Sequence, residues 1–313
     1  RMKETPIMGS GGKFVAERSR TSIVVPSGFP EYRWYMGVGF VTFSAIYFGT
    51  IAFFDHIQSF LQLPPSGVHL CQDYANTSND GLCWRADLFA FEVASGVALV
   101  WSAVIGFNAW YIEQVDKQIS STPEGRLFEY IPAGHKLTAL GTTFQLFDLF
   151  ISLLIPEQRQ PLFIAHHIMA ATVSWYGLNN QYFHYYGIYY LGCSELSTIP
   201  LLFIDVAGFF PPVPGTSFDF IVNGICGPLF AVIFTIYRVI LWWLVGYRMF
   251  GDIFAVMKNG SAQKLRPGRN HVLYVMMALN LLLGLLQLYW FQVILEEAAK
   301  FFGFKATEAA KEL

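Results

Sequence analysis

Apolar residues recur along this chain in blocks long enough to cross a bilayer, separated mostly by short polar turns. Seven such blocks occupy residues 34–54, 87–112, 131–155, 161–178, 183–206, 220–249 and 271–294. Each approaches or exceeds the roughly 20 residues that a helix rising about 1.5 Å per residue needs to span about 30 Å of hydrocarbon. Only "PEQRQ" divides the third block from the fourth, and only "NNQY" divides the fourth from the fifth. Turns this short make antiparallel neighbours, so both pairs are expected to be helical hairpins. No internal repeat is evident, and no loop has room for a soluble domain. The expected fold is all-α, a polytopic transmembrane bundle of about seven helices over residues 34–296. An N-terminal arm (1–33) and a C-terminal helical tail (297–313) flank it.

Composition agrees with this pattern. Hydrophobic residues make up 54% and charged residues 13%, against roughly 25% charged in soluble domains. A net charge of −2, with no basic stripe, excludes a nucleic-acid partner. No zinc-type cysteine spacing and no phosphate-binding glycine run appears, so no cofactor is implied. The expected partners are a membrane lipid or acyl chain, or other membrane proteins. Of the 20 Lys and Arg, thirteen fall on one side of the bundle if the N-terminus is cytoplasmic, and five on the other. The positive-inside rule then predicts N-in and C-out.

The loop after the first block carries Cys71 and Cys83. They form a disulfide if that side is oxidising, and are otherwise two free thiols. Asn76-Thr77-Ser78 in the same loop is a glycosylation acceptor sequence. Cys193 and Cys226 are expected to be packing residues. The arm mixes charge with Gly, Ser and Pro, and reads as flexible or partner-bound. The chain begins with Arg rather than Met, which suggests a processed or incomplete end and leaves an organellar inner membrane open as a location. The tail, with Phe301, Phe302 and Phe304, either extends the seventh helix or lies at the interface.

Ionisable residues inside spans are costly, by about 2.5–3.5 kcal/mol each on insertion scales, and so face a partner or a bundle interior. Counting from the span ends puts Asp148 roughly 10 Å from one face and His166 and His167 roughly 8 Å from the same face. Glu92 and Asn223 come out at similar depth, Glu195 nearer mid-membrane and Arg238 nearer the opposite face. Adjacent helical positions diverge by about 100°, so one histidine faces a cavity and the other supports it. The pair with Asp148 is either a general base with its orienting carboxylate or an interhelical clasp. Adjacent histidines lack the i, i+4 spacing of a shared metal, and none is expected. His167 and Ser174 lie on one stripe beside Ala170 and Ala171, small enough for close approach of a helix or lipid. Pro200 is expected to kink the fifth span, Arg238 to pair in a cavity or reach for the headgroups, and "QYFHYYGIYYLG" to form an aromatic belt.

The run "GTTFQLFDLFISLL", "PLFIAHHIMAATVSWY", "YYLGCSELSTIPLLFIDV" and "IVNGICGPLFAVIFTIYRVI" resembles the TLC-domain family of membrane proteins over about residues 90–295. That family includes ceramide synthases, a translocon-associated protein and a neuronal ceroid lipofuscinosis protein. The matched elements are Asp148, His166-His167, Glu195-Leu196-Ser197-Thr198, Asn223-Gly224 and Arg238. The resemblance implies a central cavity that handles a lipid or acyl chain, with His166, His167 and Asp148 as its polar or catalytic focus. Glu92, Glu195, Ser197, Asn223 and Arg238 would line or brace it. The His-Asp and further Asp that follow the histidine pair in ceramide synthases are absent, and the second span has Glu92 where many members carry His. The pattern is therefore closest to the poorly characterised TLC-domain-containing branch, and ceramide synthesis is not expected. The resemblance implies an endoplasmic-reticulum membrane and a part in lipid homeostasis, sensing or acyl transfer. The alternative is a non-catalytic accessory subunit of a larger membrane complex.

Overall fold

A computed structural model describes residues 29–301 apart from 73, 75, 76 and 79. The acceptor Asn76, most of the N-terminal arm and the chain after Phe301 lie outside the described residues. The described residues form helices joined by turns and loops, with no strand. Span one is α1, Phe29–Ala52. Span two is α2, Ala86–Phe107, continued by a π turn at Asn108–Ile112. Spans three and four are α3, Pro132–Leu154, and α4, Pro161–Asn180. Span five consists of α5, His184–Tyr190, a 3-10 segment, Cys193–Ser197, and α6, Thr198–Phe209. Span six is unbroken from Phe220: a π segment to Cys226, α7 (Gly227–Phe234), a second π segment (Thr235–Ile240) and α8 (Leu241–Lys258). Span seven is α9, Asn270–Phe301, which carries the seventh helix into the tail. Six of the seven are long and apolar enough to cross a membrane by themselves. The remaining one, α4, carries His166, His167, Asn179 and Asn180 and lies along α3.

Proline starts two of the central helices. Pro132 and Pro161 sit in the first turn of α3 and α4, where the missing N–H would have no helical partner anyway. The α4–α5 turn is tight: Gln181 and Phe183 both take left-handed backbone conformations. The Phe183 N–H donates to the Leu127 carbonyl at 2.8 Å, and Arg269 Nη1 donates to Asn180 Oδ1 at 3.0 Å. These contacts hold a geometry that costs about 1–2 kcal/mol per non-glycine residue.

Span five departs from the expected proline kink. The break falls at Gly192, ahead of the 3-10 segment, and Pro200 lies in the first turn of α6, where it costs no hydrogen bond. The break coincides with a close crossing. A Cβ on Gly106 of α2 would sit 2.5 Å from the Gly192 backbone, and one on Gly192 would sit 2.6 Å from the Gly106 Cα. Two backbones meet there without side chains between them, the role of small residues in membrane helix packing.

The tyrosine-rich stretch is not an interfacial belt. Tyr182, Tyr185, Tyr186 and Tyr189 are among the largest wholly buried side chains, and the hydroxyls of the last three have partners inside. Tyr186 donates to Asp252, which also takes both Arg126 Nε at 2.6 Å and Nη2 at 2.5 Å. Tyr189 donates to the Tyr237 carbonyl at 2.5 Å and Tyr190 to the Trp242 carbonyl at 3.3 Å. Those carbonyls lie in or just past the second π segment, where helical hydrogen bonding is irregular.

At the face where α2 begins, Cys71 and Cys83 are joined in a disulfide. Nearby, Arg85 grips Glu157 through two hydrogen bonds, 2.5 and 2.8 Å, and Asp87 through two more, 2.9 and 2.8 Å. The bonded Arg85 guanidinium holds the Glu157 carboxyl below the usual carboxylate range. A carboxyl lowered on folding contributes stability that is full above its unfolded pKa and lost as pH falls through the folded one. The melting temperature in detergent is therefore expected to drop on acidification below the ordinary carboxylate value. A Glu157→Gln variant should show a shallower drop. A parallel fall in both proteins would disprove the coupling.

Candidate functional site: a polar-ended cavity among five helices

Side chains three and seven apart on α3 share one face, and Gln145, Asp148 and Ser152 occupy it. His167 of α4 meets this face with both ring nitrogens. Its Nδ1 shares a 2.8 Å hydrogen bond with Gln145 Oε1, and its Nε2 lies 3.3 Å from Asp148 Oδ1. Ser152 Oγ donates to the same carboxylate oxygen at 3.1 Å. Small residues allow the approach. A Cβ on Gly141 would stand 2.7 Å from Ser174 Oγ, and one on Gly177 2.7 Å from Thr138 Cγ2. The stripe of His167 and Ser174 therefore faces α3, not a lipid. Glu92 of α2 is buried and within electrostatic range of Asp148 and of Asp205 on α6.

His166, one position on, is turned elsewhere. Its ring lies 5.2 Å from that of Trp290 and 5.3 Å from that of His167, and its buried Nδ1 has no hydrogen-bond partner. It lines a narrow cavity of about 60 Å³ among α3, α4, span five, span six and α9. The α4 wall is His166, Ala170, Val173 and Gly177, and the α9 wall is Met276, Asn280, Leu283 and Gln287. Both follow helical spacing, one face of each helix.

Arg238 closes the cavity from the second π segment. Its Nη2 donates to Glu195 Oε2 at 2.7 Å and Thr198 Oγ1 at 3.0 Å, and its Nε to Ser197 Oγ at 2.8 Å and the Ser194 carbonyl at 3.2 Å. Thr198 Oγ1 in turn donates to Glu195 Oε2 at 2.7 Å. A buried ion is tolerated when it is paired and its remaining donors are satisfied. Arg238 thus neither reaches for headgroups nor sits at a different depth from Glu195. Counting residues from the ends of the span misplaced it, because the helix of span six runs on to Lys258, past the block of residues 220–249.

The residues expected at the site therefore divide. His166, Glu195 and Arg238 line the cavity, and Ser197 braces Arg238. His167 and Asp148 form a separate clasp between α3 and α4, to which Glu92 is electrostatically linked. Gln145, which lines the cavity and bonds His167, belongs to both groups. Asn223 is exposed and donates to Asp219 Oδ1 at 2.7 Å, apart from either group. The disulfide lies in the loop beyond α1. Among the described residues no group of three or more His, Cys, Asp or Glu could hold a metal. Sequence reasoning passed over Gln145, Asn280, Gln287 and Asp205. The spacing of His166, Ala170, Val173 and Gly177 was the available signal, since it picks out which histidine shares a face with small residues.

The fold and site define a polytopic helical membrane protein with a cavity of mixed polarity among its helices. A family model for the TLC domain matches residues 92–296, about two thirds of the chain, and the whole cavity wall falls within it. The chain belongs to the TLC-domain family. Comparison with curated proteins and with solved structures gave no match.

Proposed function

We propose that this protein holds the hydrocarbon chain of a membrane lipid in this cavity, in the service of lipid homeostasis or sensing. The observation that carries the reading is the gradient along the cavity. Gln145, His166, Glu195, Arg238 and Gln287 gather toward one end, while Ala170, Val173, Met249 and Leu283 continue toward the other, where the hydroxyls of Thr138, Tyr186 and Tyr190 already have internal partners. From His166 to Gly177 the α4 wall rises about 16 Å, a path an acyl chain can follow, head beside the imidazole, once the side chains lining the narrow cavity part around it. The group able to move a proton there is His166, whose Nδ1 is without a partner. His167, occupied at both nitrogens, positions α4, and Asp148 acts on it rather than on His166. For acyl transfer, His166 is the base this arrangement supports. The joined Cys71 and Cys83 support an endomembrane location in which that loop faces an oxidising lumen.

Replacing Ala170 by Trp fills the cavity midway. The full chain, extracted in mild detergent and measured by native mass spectrometry, is expected to retain a lipid adduct that Ala170→Trp reduces at least tenfold, with the variant still monodisperse. A lipid-free parent, or an adduct indifferent to Ala170→Trp, would refute the reading. A lipid-free parent that co-purifies in fixed stoichiometry with other membrane subunits would put an accessory role in its place.

A further inference from the structure

The polar end of the cavity has an unusual inventory. Gln287 is 0% exposed, and neither its Oε1 nor its Nε2 has a hydrogen-bond partner. His166 Nδ1 and Trp242 Nε1 are likewise buried and unpartnered, and all three residues line the same cavity. Most buried polar atoms in folded proteins find a partner, so several orphans converging on one space mark a place for a guest. Together they offer an amide acceptor, an amide donor, an indole donor and an imidazole nitrogen. Charge is absent from the offer. Among the described residues Arg238 is the only Lys or Arg on the cavity wall; its charge is paired with Glu195, and its Nε and Nη2 are taken by Glu195, two hydroxyl groups and a carbonyl.

We infer that the lipid head held here is uncharged and carries both a hydrogen-bond donor and an acceptor, as in a monoacylglycerol or a long-chain primary amide. This rests on the lipid-handling reading above and narrows its ligand class. A phosphate or free carboxylate would be stripped of water beside a guanidinium that is already paired, and no second cation could compensate it. A hydroxyl or amide head instead completes the Gln287 amide in both directions. Sites built from buried hydrogen-bonding groups discriminate strongly against ligands that leave those groups unpaired.

The test compares probes of equal chain length on the full chain in neutral-lipid nanodiscs: monooleoylglycerol, oleamide, oleate and oleoyl lysophosphatidate, with binding followed by competition against radiolabelled monooleoylglycerol. Monooleoylglycerol and oleamide are expected to bind at least tenfold more tightly than oleate or lysophosphatidate. Gln287→Leu, an apolar replacement of similar size, should weaken the neutral probes about tenfold while leaving the melting temperature the same or higher. Anions that bind as well as the neutral lipids, or a folded Gln287→Leu protein with unchanged affinity, would overturn the inference. If all four probes bind equally and Ala170→Trp abolishes binding, lipid handling stands and only the head-group inference fails. If none binds, with the cavity holding water alone, both fail.

Discussion

Arg238→Leu is expected to be the most damaging single substitution in the bundle interior, at about 3–5 kcal/mol, the usual cost of breaking a buried ion pair by removing one partner. This guanidinium donates four hydrogen bonds, to Glu195 Oε2, Ser197 Oγ, Thr198 Oγ1 and the Ser194 carbonyl. Without it, the Glu195 carboxylate keeps only hydroxyl partners at the end of a narrow cavity. The 3-10 segment loses its tie to span six at the same time, since Arg238 is what joins Cys193–Ser197 to Thr235–Ile240. The measurement is thermal unfolding in detergent of four proteins: parent, Arg238→Leu, Glu195→Gln and the double variant. The double variant should recover part of the loss, because it removes the stranded charge as well as its partner. Additive effects would show that the two side chains act independently and would contradict the pairing.

Gly106→Leu is the second large effect. At the α2 crossing the obstruction is main chain, with Gly192 Cα and carbonyl carbon both 2.5 Å from the added Cβ. Overpacking usually costs about 1–3 kcal/mol, and more where the neighbour is backbone that no rotamer change can move. The expected loss is at the top of that range or beyond it, read as poor recovery of monodisperse protein and a lowered melting temperature. Gly37→Leu is the control, since nothing lies within 4 Å of a Cβ built there. Equal losses in the two variants would show that the crossing has no special role.

The spans were legible because hydrocarbon thickness imposes a length, and length survives in a bare sequence. The breaks within them were not. Pro200 drew attention as a kink, yet the chain bends at Gly192, where two helices need contact without side chains; nothing in local composition reveals a partner 86 positions away in sequence. The π segments of span six are equally silent, and they change which way Arg238 points relative to a plain α-helical count. The polar focus was read from ionisable groups, which insertion costs make conspicuous. That search found Asp148, His166, His167, Glu195 and Arg238 but overlooked Gln145 and Gln287, amides that cost less to insert and so stand out less. It also grouped Asp148 with the cavity, where the geometry gives it to the helical clasp. The tyrosines misled for a related reason: they often lie at an interface, and only their internal acceptors, Asp252 and the irregular carbonyls of span six, explain why these are buried.

Gln145 faces two ways, and that makes it a wire between occupancy and architecture. Its single carbonyl oxygen fastens the α3–α4 hairpin through His167 while bordering the chamber. An amide oxygen has two lone pairs, so a donor in the chamber would share this oxygen with the imidazole, which Asp148 holds from its other side. The polarity of the chamber and the tie between two neighbouring helices thus meet at one atom.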